Sequence, residues 1–502
     1  AVKQVERRFL LVTAFISGMT IMALEMSASR LLAPYFGTSL FVWTNIIGVT
    51  MISLSIGYYY GGKLADRNPV SRLLFGMLVA TGLFCILIPF LAPFIMRLSV
   101  KGIKSGSAGI FYGSLLGTVL LFAPPLTALG GVVPFIIRLF GGDRKSSGIT
   151  AGRVFAVSTV GSIMGTFLPV LLTIPLLGTK RTILLFGVIL ILFGLFGLGR
   201  KRQAGLAVLL LLSAFFVGSA RPAEGVIYEK ESVYNYIQVV EKEGIRYLKL
   251  NEGYAYHSIY NPHSVTVNGI WDYFNLLPLL KQDAKSTLII GLAGGTIARE
   301  YRFFFPHIKI DGVEIDGDII EAGKAYFDME GPNLAIHHMD GRTFLSTTEK
   351  RYDIIIIDAY KQPYIPFHLT TQEFFVEVKK HLKDGGIVAI NIASLSPDSK
   401  VLKMLENTMA EIYKKVYVLN PPGTLNYIVF ASERELSFDV SPDEPVLKEI
   451  VAEAERGFVS VELDRNLPIL TDDKAPVEMY TDMMIFEYIR SNDTRAYTQF
   501  FE

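Results

Sequence analysis

The chain has 502 residues, of which 51% are hydrophobic and only 19% charged, and its net charge is +1. Soluble globular chains carry nearer a quarter charged residues, so a wholly soluble protein is excluded, as is a basic field that would recruit nucleic acid. The one cysteine, Cys85, allows no intrachain disulfide and no cysteine-ligated metal site, and it leaves the redox compartment open.

The length leaves room for two or three domains. Long apolar runs fill the first 220 residues, and most of the charge lies beyond them. That asymmetry places a membrane part first and a soluble part second. A membrane helix needs about 20 mostly apolar residues. Candidate runs are 9–29, 41–62, 72–96, 108–140, 150–176, 181–199 and 204–220, about seven helices in all. The first contains Glu25 and is followed by Arg30, which is too polar for a signal peptide. The fourth is long for one span, and Pro124, Pro125 and Pro134 predict a kink or a re-entrant stretch. Gly161, Ser162 and Gly165 make a small-residue face, for which close helix packing is the favoured reading. An ionisable group inside a span is costly. Glu25 with Arg30 is therefore either functional or a structural pair near the interface. The segment Gly61-Gly62-Lys63-Leu64-Ala65-Asp66-Arg67 resembles the loop between helices two and three of major-facilitator transporters. That likeness covers seven residues, and no twelve-helix pattern accompanies it.

Lys and Arg in alternate loops number thirteen on the N-terminal side and seven on the other, which favours a cytoplasmic N-terminus. Seven crossings would then leave the soluble part outside. The nucleotide chemistry argued next requires it in the cytoplasm, so the two expectations conflict. The overall expectation is a multi-pass cell-membrane protein with a cytoplasmic catalytic domain.

Beyond residue 222 the pattern changes. Tyr236–Val240 and Ile245–Leu250 alternate around a Lys242-Glu243-Gly244 turn, which predicts a hairpin. A β/α series follows. Its strands are Leu288–Ile290, Ile308–Ile315, Ile354–Ile357, Ile387–Ile392 and Tyr427–Phe430, with a helix over Thr371–Leu382. Such alternation implies a mostly parallel sheet covered on both faces.

The first β/α turn reads Gly291-Leu292-Ala293-Gly294-Gly295-Thr296. Its glycines let a ligand approach backbone at a helix N-terminus. Such a loop suits dinucleotide and S-adenosyl enzymes alike. Glu314, in Val313-Glu314-Ile315-Asp316, ends the second strand. A carboxylate there can accept both hydroxyls of a ribose. Asp340-Gly341 follows a short strand, and an acid there can accept an adenine amino group. Asp358 closes the buried strand Ile354–Ile357, at the end where open α/β sheets bind ligands. Solvated strand-end charges are the plainer alternative for Glu314 and Asp358.

Together these motifs resemble the spermidine synthase family of aminopropyltransferases. The likeness runs from about 220 to 440 and includes Glu231-Ser232, Leu288–Gly291, Arg299-Glu300, Val313–Asp316, Asp340-Gly341, the Asp358 strand and Leu369–Phe375. Leu24-Glu25-Met26, Pro34–Gly37 and the ending Leu470–Glu478 are similar to the membrane-fused branch of that family.

The resemblance implies an α-helical membrane domain over 1–221, a β-hairpin cap over 222–285, a Rossmann-like, methyltransferase-type α/β catalytic domain over 286–440 and an extension over 441–502. It implies decarboxylated S-adenosylmethionine as co-substrate, an amine as acceptor, and no metal. It also allows a homodimer. Gly291, Gly294, Gly295, Glu314, Asp340 and Gly341 would hold the nucleotide and Asp358 the attacking amine. Tyr256, Tyr360 and Lys361 would meet the acceptor.

Four positions depart from the family. Gly294 stands where an acid holds the donor's amino group, and Lys361 where a second acid follows the Asp358 position. Tyr256 falls near the cap's glutamine, and Leu276 replaces a histidine. Nucleotide-holding residues are therefore kept better than amine-holding ones. The expected function is polyamine-forming aminopropyl transfer. The rivals are an S-adenosylmethionine-dependent methyl or other group transferase, and a non-catalytic nucleotide- or polyamine-binding membrane transporter or sensor. The membrane fusion adds a lipid acceptor to the candidates.

Overall fold

Apolar sequence in the N-terminal part folds as helix, because only helix satisfies every backbone N–H and C=O within one segment. The computed structural model describes residues 2–36, 40–101, 106–140, 147–199, 225–251, 255–360 and 364–490. The chain divides into two units. One comprises Ala1–Lys104 and Ala108–Arg221, and the other comprises Ser105–Ser107 and Pro222–Glu502.

Among the described residues of the first unit, six stretches are long and apolar enough to cross a membrane. They are Arg7–Leu32, Phe41–Arg67, Ser71–Met96, Phe111–Phe140, Gly148–Leu177 and Thr179–Gly197. The seventh expected run, 204–220, lies outside the described residues. The fourth stretch breaks at Gly131, between helices Gly106–Gly130 and Val132–Phe140. Pro134 has no N–H to offer the Gly130 carbonyl, which interrupts the ladder there. A π-turn over Pro169–Thr173 interrupts the fifth stretch for the same reason.

Gly161 and Gly165 bring two backbones together. A Cβ at either would lie 2.0 Å from a carbonyl oxygen, that of Phe15 or of Met19. Ser162 Oγ donates to the Gly18 carbonyl at 3.2 Å across the same seam. The small-residue face is thus a packing seam. Glu25 and Arg30 are both half-buried. Asp66, in the transporter-like segment, pairs with Arg138 at 3.1 Å, and both side chains are exposed. An exposed pair of this kind contributes little to stability.

The second unit opens with a four-stranded antiparallel sheet rather than one hairpin. Its strands are β1 (Val226–Glu231), β2 (Tyr236–Lys242), β3 (Ile245–Leu250) and β4 (Tyr256–Tyr260), in sequential order. The expected hairpin is β2–β3, closed by Glu243 and Gly244, both at positive φ. A lone hairpin is marginal in water, and flanking strands supply what it lacks.

The larger sheet contains β5 (Ser286–Ile290), β6 (Lys309–Glu314), β7 (Leu334–His338), β8 (Tyr352–Ile357), β9 (Leu382–Ala393), β10 (Lys415–Leu419), β11 (Asn426–Ser432) and β12 (Val459–Val461). Its order is β12-β10-β11-β9-β8-β5-β6-β7. Pairing is parallel from β7 through β9 and antiparallel from β9 through β12. The sheet is therefore mixed, not simply parallel. The short link from β10 to β11 cannot hold a crossover, so that pair must be antiparallel. Every residue of β8 is buried. The chain winds from β5 toward β7, then returns to place β8 on the other side of β5. That reversal opens a crevice at the carboxyl ends of β5 and β8.

Candidate active site

The crevice begins at Gly291, where β5 turns. Gly291 has φ +88°, and a Cβ on it would lie 2.5 Å from the Asp358 carbonyl oxygen. Only glycine tolerates that approach in a left-handed conformation. Gly291→Ala is expected to destabilise this unit by at least about 2 kcal/mol, from overpacking and left-handed strain together. The check is a fall in thermal unfolding temperature, and an unchanged one refutes it.

The loop then reaches Ala293, whose N–H donates to Glu314 Oε2 at 2.9 Å. Glu314 Oε1 accepts the Asp316 N–H at 3.1 Å. Burial pushes the Glu314 carboxyl up to about 7, against the pull of these donors. Asp316 faces the cap instead. Its Oδ2 accepts Ser232 Oγ at 2.5 Å and Asn235 Nδ2 at 3.0 Å. The acid after Glu314 therefore ties the small sheet to the large one.

Asp340 caps the helix Gly341–Thr347 by accepting the Thr343 N–H at 2.9 Å. Its other oxygen lies 2.9 Å from His368 Nε2. His368, first, and the helix cap hold this carboxyl down to about 2. Asp358, just past β8, receives Trp271 Nε1 on Oδ2 at 3.1 Å and Asn391 Nδ2 on Oδ1 at 2.8 Å. Burial pushes it up to about 7, again the larger effect.

A cavity of about 300 Å³ joins these groups. Gly291, Glu314, Asp340, Gly341, Asp358 and Tyr360 all line it. Tyr360 turns its hydroxyl away, donating to the Asn391 carbonyl at 2.9 Å and accepting the Ala393 N–H at 2.6 Å.

Three expected residues are not on the lining. Gly294 donates its N–H to Ser258 Oγ at 2.8 Å, and a Cβ on it would meet Ser258 Cβ at 2.8 Å. The side-chain space at 294 is thus filled by the cap. Gly295, at φ +84°, starts the helix Thr296–Phe304 and packs on Met329. Tyr256 packs against Tyr247, with ring centroids 4.4 Å apart and the rings tilted by 37°. Successive strand residues face opposite ways, so His257 takes the cavity side instead. Lys361 lies outside the described residues. Asp272, an acid in the turn that follows the small sheet, spends its two oxygens on the N–H groups of Val267 and Asn268.

Sequence reasoning missed Trp271, Asn391, His257 and His368. Asn391 carried a signal, as the one polar residue in the apolar run Ile387–Ile392. His368 sits beside the noted Leu369–Phe375 segment but had no chemical mark of its own. Among the described residues, no three His, Cys, Asp or Glu side chains converge as a metal site would.

The sequence pattern of the spermine/spermidine synthase domain matches residues 275–440. A probable polyamine aminopropyl transferase of Bifidobacterium longum is 31% identical over 295 residues, covering 54% of this chain and 66% of that protein. A polyamine aminopropyltransferase of Vibrio vulnificus is 30% identical over 195 residues, covering 37% of this chain and 64% of that protein. The chain thus spans about two thirds of the length of each. A polyamine aminopropyltransferase of Corynebacterium efficiens is 27% identical over 411 residues, covering 72% of this chain and 77% of its own length. A match that long exceeds residues 222–502, so it reaches into the helical part.

Proposed function

We propose that this chain, whose residues 275–440 belong to the spermine/spermidine synthase domain family, moves an aminopropyl group from decarboxylated S-adenosylmethionine to an amine. The observation that carries the reading is Asp358, whose carboxyl meets a nucleotide-sized cavity also lined by Glu314 and Asp340. The positive sulfur makes its neighbouring carbon electrophilic. The neutral amine attacks that carbon in line, forming C–N as C–S breaks, and the electron pair stays on sulfur in methylthioadenosine. The new nitrogen then carries an extra proton, which Asp358 accepts and passes to water. Glu314 holds the ribose and Asp340 the adenine.

Mass spectrometry of the purified protein with each donor and a panel of amines and lipids tests this reading. Methylthioadenosine is the expected product. S-adenosylhomocysteine would instead mean methyl transfer, and neither product would mean binding alone. A glycine at 294 could leave room for a donor that keeps its carboxylate. Ser258 fills that room, which favours the decarboxylated donor.

In the acceptor, the departures Gly294 and Lys361 argue against a simple diamine held by acids at both ends. A like charge nearby disfavours the distal ammonium. Lys361→Asp is expected to lower KM for putrescine roughly tenfold. A wild-type protein that already turns over putrescine at micromolar KM refutes this. An acceptor with an anionic head group, presented by a membrane, suits Lys361 better.

The N-terminal helices span a bilayer in this reading. Support comes from outward-facing apolar residues such as Ile52, Phe90 and Leu171, each more than three-fifths exposed. Six crossings return the chain to the side of its N-terminus, which fits a cytoplasmic catalytic unit and the positive-charge count. A seventh crossing at 204–220 would reverse this. Retention in the membrane fraction after alkaline extraction is expected, and release into the supernatant overturns the bilayer reading.

A further inference from the structure

The carboxyl of Asp358 is gripped on both oxygens by neutral donors from two different elements. Trp271 reaches it from the turn Ile270–Asn275, and Asn391 from the carboxyl end of β9. Neither donor can turn away freely. Asn391 Oδ1 accepts Asn426 Nδ2 at 2.9 Å, which leaves its amide nitrogen for Asp358. The Trp271 ring is buried, and the turn that carries it is fixed by buried polar groups. Asp272 holds the N–H groups of Val267 and Asn268, and Asn275 Nδ2 donates to the Asp272 carbonyl and to Glu300.

We propose that Trp271 and Asn391 are positioning residues, which hold Asp358 in one orientation and favour its ionised form so that it can take the proton of the attacking amine. This rests on the reading of Asp358 as the base. An indole N–H and an amide N–H donate and cannot accept, so both bonds favour the carboxylate over the neutral acid. They oppose burial, which favours the acid. The clamp sets how far the base is pushed up, and so the pH at which the site works.

The other titratable groups around Asp358 come from several elements. Tyr360 is on its own connection, Asp272 on the Trp271 turn, and Glu300 on the helix behind that turn. Glu314, Asp340, His257 and His368 line the same cavity. Among the described residues, the two bonds on the Asp358 oxygens come from Trp271 and Asn391.

Trp271→Phe keeps an aromatic ring and removes the N–H. Measured on the full chain in detergent or nanodiscs with the donor saturating, the acidic limb of the kcat profile is expected to rise by about one pH unit. The rate at pH 7 should then fall about fivefold and recover at alkaline pH, with donor affinity unchanged. Asn391→Ala should move the limb the same way. A limb that stays in place, or a fall equal at every pH, overturns the proposal, because a merely structural loss has no reason to follow protonation. If Trp271→Phe does not fold, Asn391→Ala decides alone. Asp358→Asn separates the two levels. Full kcat there removes the base and the clamp with it. An inactive Asp358→Asn beside unmoved limbs removes only the clamp.

Discussion

Asp358→Asn is expected to lower kcat by about 10²–10⁴-fold while leaving the donor bound, the range typical of losing a positioned base. The variant preserves shape but cannot accept the amine's proton. It also sets an amide against Trp271 and Asn391, which both donate. Single-turnover rates with donor bound separate chemistry from binding, and an unchanged kcat refutes the role. The wild-type pH profile gives a second readout. Burial pushes Asp358 up to about 7, so its carboxyl is protonated below that pH and cannot act as a base. Activity should therefore be lost as pH falls through about 7. A profile flat from pH 5 to 9 sinks the assignment.

Glu314→Ala should weaken donor binding by about 1.5–3 kcal/mol, roughly 10- to 150-fold, the worth of hydrogen bonds to a charged group. Calorimetry with the donor or with methylthioadenosine measures it, and unchanged affinity removes the ribose role. The effect has a pH signature too. Burial pushes Glu314 up to about 7, so its proton must leave before it can accept two hydroxyls fully. Donor affinity should decline below neutral pH in the wild type and lose that slope in Glu314→Ala. Two buried carboxyls near 7 line one cavity, so the binding profile and the rate profile must be measured separately to assign each limb.

The helical half was legible because a long apolar helix is written in one variable, unbroken apolarity. Six expected runs fall on six apolar helical stretches, with ends displaced by a few residues. The buried strands β5, β6, β8, β9 and β11 were legible for the same reason, whereas β10 and β12 were not read. A buried strand such as Ile354–Ile357 needs apolar residues on both faces. Glu314, Asp340 and Asp358 could be found because they are polar residues at strand ends, where local sequence alone marks them. β1 and β4 were harder to read, since they pair only at the margins of the small sheet and carry polar residues outward.

Local sequence thus determined which segments are helix or strand, where the glycine turn lies, and which acids stand at strand tips. Tertiary structure decided what each side chain meets. Gly294 could be read only as a missing acid, and it is Ser258, 36 positions earlier, that fills the space beside it. Tyr256 yielded its place to His257 because strand alternation depends on a register that only pairing with β3 defines. Trp271 and Asn391, separated from Asp358 by 87 and 33 residues, converge on one carboxyl. The physical reason is range. Periodicity and capping act over a few neighbouring residues, whereas burial and hydrogen bonding of a carboxyl depend on chain brought in from far away, and those contacts set its protonation.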